Sequence, residues 1–236
     1  MLAEIIAVGS ELLTPYRQDT NSLFITEQLN ALGVSVAFKT IVGDCKAHLV
    51  DATSIALGRA DIVFVMGGLG PTQDDLTREA VASALGVRLR RDGDLLAALY
   101  KRFAAKRATM PGNNSKQADV IEGAQVLPNP RGTAPGQWLD TVFGEHRKLI
   151  VLLPGPPAEL KPMFTDECLP RLQEALPPRS IARRVLRNRH FHLEAARKCK
   201  RRMRGPHAFR NFAMHAIQNL PQPAPSSELH PNMTVA

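Results

Sequence analysis

Long apolar runs are missing from this sequence. Nowhere do its 236 residues supply the roughly 20 consecutive apolar positions that a membrane-crossing helix needs, which excludes a spanning helix. The run Leu2 to Val8 is interrupted by Glu4, is followed by Glu11 and lacks the basic flank of a secretory signal. It reads as a first strand, and a cytoplasmic protein is expected. Cysteine is scarce: Cys45, Cys168 and Cys199 are scattered, odd in number and without C-x-x-C spacing, which argues against a disulfide framework and against a zinc site. The histidines form no constellation, since His48 and His146 stand alone and the other five follow residue 188. There is no internal repeat.

Charge is unevenly spread. The net charge of +8 points at first to a nucleic-acid partner. Yet Met1 to Pro178 holds 18 Lys+Arg against 20 Asp+Glu, a balance of −2, whereas Arg179 to Ala236 holds 12 against 2, a balance of +10. With 44% hydrophobic residues the chain fits one substantial core followed by an extension. The expected organisation is one folded domain over residues 1–178 and a basic, largely irregular extension over 179–236.

Within the first part, strand and helix signals alternate with short turns, the pattern of a parallel sheet covered on both faces. Leu2 to Val8 is a strand. Asp19-Thr20-Asn21 offers helix caps ahead of Leu23, Phe24, Leu29 and Leu32, with Gly33 as the stop. Val34 to Val42 forms a second strand, Ala47 to Leu57 a helix, Ile62 to Met66 a third strand, and Leu76 to Leu85 a helix stopped by Gly86. Asp94 to Lys106 is helical, and Ala108 to Gln117 is a loop. A second loop, Pro128 to Gly136, precedes strands at Gln137 to Phe143 and Lys148 to Leu153. Pro156 and Pro157 then open a helix over Ala158 to Leu176. The predicted fold class is α/β, a three-layer α/β/α sandwich with a mostly parallel sheet.

Three strands end in polar loops: Gly9-Ser10-Glu11, Gly43-Asp44 and Gly67 to Asp75. In open α/β sheets ligands bind outside the carboxyl ends of the strands, so these loops are expected to share one crevice. The third carries the most chemistry. In GGLGPTQDDLT, Gly67 to Thr77, the residues Gly67, Gly68 and Gly70 let backbone amides approach a ligand, and the following helix directs its positive end to the same place. Thr72 adds a hydroxyl. One carboxylate suffices to cap a helix, whereas Asp74 and Asp75 together suggest a general base and ligands for a divalent cation (Mg, Mn or Co), which would relieve repulsion between carboxylates and a diphosphate. Asp44 and Asp75 are the metal-ligand candidates, and either serves as base toward water. The remaining candidates have plainer readings beside the functional one. Asp44 suits a turn, Ser10 and Glu11 are either solvated or in contact with ribose or metal, and Asn21 suits a helix cap. Lys116 offers phosphate a point charge but is also an ordinary surface lysine. Thr133, in Gly132 to Gly136, sits where small side chains admit a base or ribose, and also where a simple turn would do.

Gly9-Ser10-Glu11, Asp19-Thr20-Asn21, GGLGPTQDDLT, Asn114 to Ala118, Gly132-Thr-Ala-Pro-Gly136 and Leu153-Pro-Gly-Pro-Pro-Ala-Glu159 stand in the order seen in the competence/damage-inducible protein CinA family. Over roughly residues 1 to 187 the chain resembles that family's N-terminal, MoaB/Mog-like (molybdopterin-binding-like) domain. The resemblance implies a MoaB/Mog-like fold, a homo-oligomer, and in some members a metal-dependent pyrophosphatase acting on ADP-ribose or related dinucleotides. Related enzymes adenylylate molybdopterin, and in them aspartates matching Asp44 and Asp75 matter for catalysis. The family's C-terminal amidase domain is not recognisable here. After Arg187 the resemblance stops together with the change in composition. We expect either a reading-frame shift near codon 188 or a basic arm that binds nucleic acid or an acidic partner.

Overall fold

The computed structural model describes residues 1–176. The chain divides into two units, Met1–Ala182 and Arg183–Ala236, so the second unit, with the frameshift and basic-arm readings, lies outside the described residues. Along the described chain run β1 (Leu2–Val8), α1 (Thr20–Ala31), β2 (Ser35–Val42), α2 (Lys46–Arg59), β3 (Ile62–Met66), α3 (Thr77–Leu85), β4 (Leu89–Arg91), α4 (Gly93–Ala105), β5 (Asp119–Ile121), β6 (Gln125–Leu127), β7 (Gly136–Phe143), β8 (His146–Leu153), α5 (Pro157–Met163) and α6 (Leu169–Ala175).

Strand burial explains the architecture. β1 after its first residue, all of β3 and the last six residues of β8 are buried, as expected for strands covered on both faces. Their side chains alternate with period two. Ala3, Ile5, Phe64, Val151 and Leu153 point to one face, where Ile25 and Leu29 of α1 meet Leu160, Phe164 and Leu172. Ile6, Val63, Val65, Ile150 and Leu152 point to the other, packed on Leu49 and Leu57 of α2 and on Ala80 and Val81 of α3. The result is the expected three-layer sandwich around a sheet ordered β2-β1-β3-β8-β7-β6. The pairs β1–β2, β1–β3 and β3–β8 are parallel, while β7 runs antiparallel to both its neighbours. A single acidic side chain enters β1. Glu4 is buried, accepts from Arg59 Nε and Nη2 at 2.9 and 2.8 Å, and takes a third hydrogen bond from Thr40.

Strand order positions the site. From β1 the chain passes through α1 out to β2, then returns across β1 to reach β3. The connections from β1 and β3 therefore leave toward opposite faces and open a crevice between their carboxyl ends.

Several local expectations need correction. The helix expected over Ala158 to Leu176 is divided into α5 and α6 by a π turn at Phe164–Cys168. Pro162 and Pro170, which lack the N–H that continues an α-helical ladder, flank that turn. Gly112–Ala118, expected as loop, forms a 3₁₀ helix. β4, β5 and β6 have three residues each, too short for a period of two to register.

Gly58 lies exposed in α2, and a Cβ at this position would meet no atom within 4 Å. Gly58→Ala is expected to stabilise the domain by about 0.5–1 kcal/mol through lower backbone entropy in the unfolded chain, read as a small rise in melting temperature.

Candidate functional site

Four connections meet at the carboxyl edge of the parallel strands. Gly9 N–H donates to the Val42 carbonyl at 3.0 Å, tying the end of β1 to that of β2. Beyond them Ser10 and Asp44 bond reciprocally: the Ser10 amide donates to Asp44 Oδ2 at 2.8 Å, and the Asp44 amide donates to Ser10 Oγ at 3.1 Å. The two predicted residues are thus brought together. Glu11 folds its carboxylate over Gly9, filling the space a Cβ there would need. On the other side Gly67 N–H donates to the Leu153 carbonyl at 3.0 Å, and Asn21 Nδ2 donates to the Gly155 carbonyl at 2.7 Å. Asn21 therefore does not cap α1. Asp19 does, accepting from the Ser22 amide at 2.9 Å.

The glycine loop is held from within. Gly67 and Gly68 adopt φ of 93° and 64°, the left-handed region that suits glycine. A Cβ on Gly67 would overlap the Val8 carbonyl oxygen, and one on Gly68 would overlap Thr77 Oγ1. Asp75 does not cap α3; its Oδ2 accepts from the Thr72 amide at 2.8 Å and from Thr72 Oγ1 at 2.5 Å. Asp74 is exposed and, among the described residues, accepts no hydrogen bond. Among the described residues the amides of Gly68, Leu69 and Gly70 also make no hydrogen bond. Three successive donors are therefore left free beside the start of α3, an arrangement suited to phosphate oxygens.

Lys116 joins this loop from the 3₁₀ helix, donating to the Thr72 carbonyl at 3.2 Å and pairing with Glu79 at 3.1 Å. It is a bridge between segments rather than an isolated surface cation. Thr133 stands elsewhere, on a cavity of about 400 Å³ whose lining includes Leu99, Gln117, Met163 and Glu159 but no glycine-loop residue and no Asp44. Asn129 organises that wall, donating to Glu159 Oε2 at 2.7 Å and accepting from the Gly132 amide at 2.8 Å.

Sequence reasoning passes over Arg78. It is fully buried in the first turn of α3, donates through Nη2 to the Leu69 carbonyl, and among the described residues leaves Nε and Nη1 without partners. Burial pushes its pKa down, opposed by the carboxylates of Glu79, Asp119 and Asp75. Its spacing to buried Val81 and Ala82, three and four residues on, is the available signal that it faces inward.

No group of three or more His, Cys, Asp or Glu stands ready to hold a metal among the described residues. Cys45, next to Asp44, is exposed, whereas Cys168 is buried and burial pushes its thiol well above the ordinary range. Because the thiolate is the reactive form, alkylation of native protein followed by peptide mapping is expected to modify Cys45 and spare Cys168. Modification of Cys168 at a comparable rate would contradict its burial.

Residues 4–174 match the protein family described as "Probable molybdopterin binding domain". Over 187 residues the chain is 67% identical to the CinA-like protein of Acidobacterium capsulatum, covering 79% of this chain and 45% of that protein. It is 58% identical to the CinA-like protein of Koribacter versatilis, with the same coverage. The chain thus spans less than half the length of these curated relatives. Among solved structures, the protein CinA of unknown function from Thermoplasma acidophilum is similar at 32% identity and a TM-score of 0.64, covering 74% of this chain and 96% of that one.

Proposed function

The chain belongs to the CinA-like proteins and carries their probable molybdopterin binding domain, and on that premise we propose that it binds a nucleotide diphosphate and hydrolyses its phosphoric anhydride, with ADP-ribose as the leading substrate. The observation that carries this reading is the run of three free amides, Gly68 to Gly70, at the crevice between β1 and β3, with Asp75 on the same loop and Lys116 reaching it from the 3₁₀ helix Gly112–Ala118. Main-chain donors and a helix start recognise phosphate oxygens, and a carboxylate among them adds what anion binding alone does not need.

In the proposed reaction the amides, with Thr72 and Lys116, hold the diphosphate. Asp75 or Asp44 accepts a proton from water as its oxygen bonds to one phosphorus, and the other phosphate leaves with the electrons of the broken P–O bond. Ser10 keeps Asp44 oriented, while Glu11 and Thr133 are the outlying candidates for the rest of the nucleotide. Asp74 is free to reach solvent or a cation. Asp44 and Asp75 are the residues that would hold a divalent cation, and their oxygen donors would suit Mg²⁺ or Mn²⁺. Such a cation, when bound, neutralises charge on the diphosphate. A homo-oligomer belongs to the same reading.

The family's name keeps molybdopterin in view as a second ligand, with adenylyl transfer from ATP as its reaction. One experiment separates the two: the full chain is offered ADP-ribose, FAD, NAD and ATP with Mg²⁺, Mn²⁺ or Co²⁺, and separately molybdopterin with ATP. Hydrolysis of ADP-ribose without molybdopterin is the expected result. Turnover confined to the molybdopterin arm would replace the hydrolase reading, and no turnover in either arm would leave a binding protein.

A further inference from the structure

The free amides of the glycine loop are set by what holds the opposite side of each peptide. In a trans peptide the carbonyl of one residue and the N–H of the next point in opposite directions, and no peptide bond among the described residues is cis. Three successive carbonyls are tied to the start of α3. Thr77 Oγ1 donates to the Gly67 carbonyl at 2.8 Å, the Thr77 amide donates to the Gly68 carbonyl at 3.2 Å, and Arg78 Nη2 donates to the Leu69 carbonyl. Thr77 and Arg78 are both fully buried. With the carbonyls of residues 67, 68 and 69 turned inward, the amides of Gly68, Leu69 and Gly70 must turn away from α3, and they are the three that remain free.

We propose that Arg78 is a positioning residue for the diphosphate site, acting through the Leu69 carbonyl to aim the Gly70 amide into the crevice. This rests on the nucleotide-diphosphate reading above and adds to it the residue that orients the amide. The rest of the Arg78 environment supports the assignment. A buried guanidinium with Nε and Nη1 unpartnered among the described residues is a poor way to fill space, because an apolar side chain of similar volume often fills such a position at no loss of stability. Its one hydrogen bond among the described residues spans nine positions, from the first turn of the helix back to the middle of the loop. Thr77 sets the two preceding peptides with its amide and hydroxyl and, among the described residues, makes no hydrogen bond to the third, so without Arg78 the Leu69 carbonyl loses its tie to α3 and the Leu69–Gly70 peptide is free to rotate. Glycine at position 70 makes that rotation easy.

The test uses the full chain, isotopically labelled, and inorganic pyrophosphate as the probe. In the parent protein, pyrophosphate is expected to shift the amide resonances of Gly68, Leu69 and Gly70. Arg78→Met, which keeps length without donors, is expected to remain folded, to move the Leu69 carbonyl carbon resonance, to lose the Gly70 response and to weaken pyrophosphate binding about tenfold, the scale of one hydrogen bond to a charged group. Arg78→Lys keeps the charge but loses the fork; its Gly70 response is expected to fall between the two, and it carries the test if the methionine variant does not fold. A Gly70 amide that responds in both variants as in the parent overturns the proposal, as does a parent in which pyrophosphate moves none of the three amides. Amides that respond as expected in a protein that hydrolyses no nucleotide would sink the hydrolase reading and leave the role of Arg78 standing.

Discussion

Asp75→Ala is expected to lower kcat for metal-dependent cleavage of ADP-ribose by about 100-fold or more, the usual scale for removing a positioned general base, while the domain stays folded. The side chain is half-buried, and its hydrogen-bond partners are the amide and hydroxyl of Thr72. Its loss therefore exposes no core surface, and Glu79 and Asp119 still compensate the buried Arg78 guanidinium that Asp75 helps to offset. Two controls sharpen the result. Asp74→Ala, at an exposed position without a hydrogen-bond partner among the described residues, should affect turnover less than Asp75→Ala. Thr72→Val removes the hydroxyl that holds Asp75 but keeps its carboxylate, so the loss should be intermediate. Unchanged turnover in Asp75→Ala would remove this carboxylate from the reaction, and loss of the folded state would show that its bonds to Thr72 carry more of the structure than their exposure implies.

Gly67→Ala is expected to be the most damaging single methyl group in the described domain. Two independent penalties apply. A residue other than glycine at φ of 93° pays strain of order 1–3 kcal/mol. The new Cβ would also overlap the Val8 carbonyl oxygen, whose withdrawal is opposed by the pairing of Val8 with Val42 and of Ala7 with Met66, and such overpacking costs typically about 1–3 kcal/mol. Together these predict a loss of roughly 2–6 kcal/mol, on the order of 10 °C in melting temperature for a domain of this size, with the proposed diphosphate binding lost in parallel. Gly58→Ala provides the contrast, since the same chemical change there meets open space. A Gly67→Ala protein that melts with the parent would mean that the end of β1 yields more readily than its pairing suggests.

Legibility in the sequence follows the length and strength of each local signal. β3 is plain because Ile62 to Met66 is buried on both faces and carries no polar interruption, and β1 because only Glu4 breaks its apolar run. The glycine loop is plain because few other arrangements explain three glycines between a strand and two carboxylates. The link between Ser10 and Asp44 follows from strand order alone, since both end adjacent parallel strands. β4, β5 and β6 are not legible because three residues show no period. The π turn depends on how Phe164 and Cys168 settle against the sheet, which is a tertiary matter. Arg78 is hidden because arginine in the first turn of a helix is ordinarily a solvated residue. Small neighbours make Thr133 look like part of the crevice at the strand ends, yet those small residues make room for Glu159, whose carboxylate occupies the space of a Cβ on Gly132.

The single tryptophan of the chain, Trp138, lies in β7 at 6% exposure, in the cluster that also holds Met163 and Phe164, whereas Tyr16 and Tyr100 are 90% and 55% exposed. Selectively excited emission from this protein thus comes from one fluorophore, packed on the α1 and α5 side of the sheet and recording whether that layer is intact. A red shift in a variant's spectrum would signal opening of the core, and an unshifted spectrum beside absent turnover would assign the defect to the crevice. The chain carries its own optical discriminator between a broken fold and a broken site.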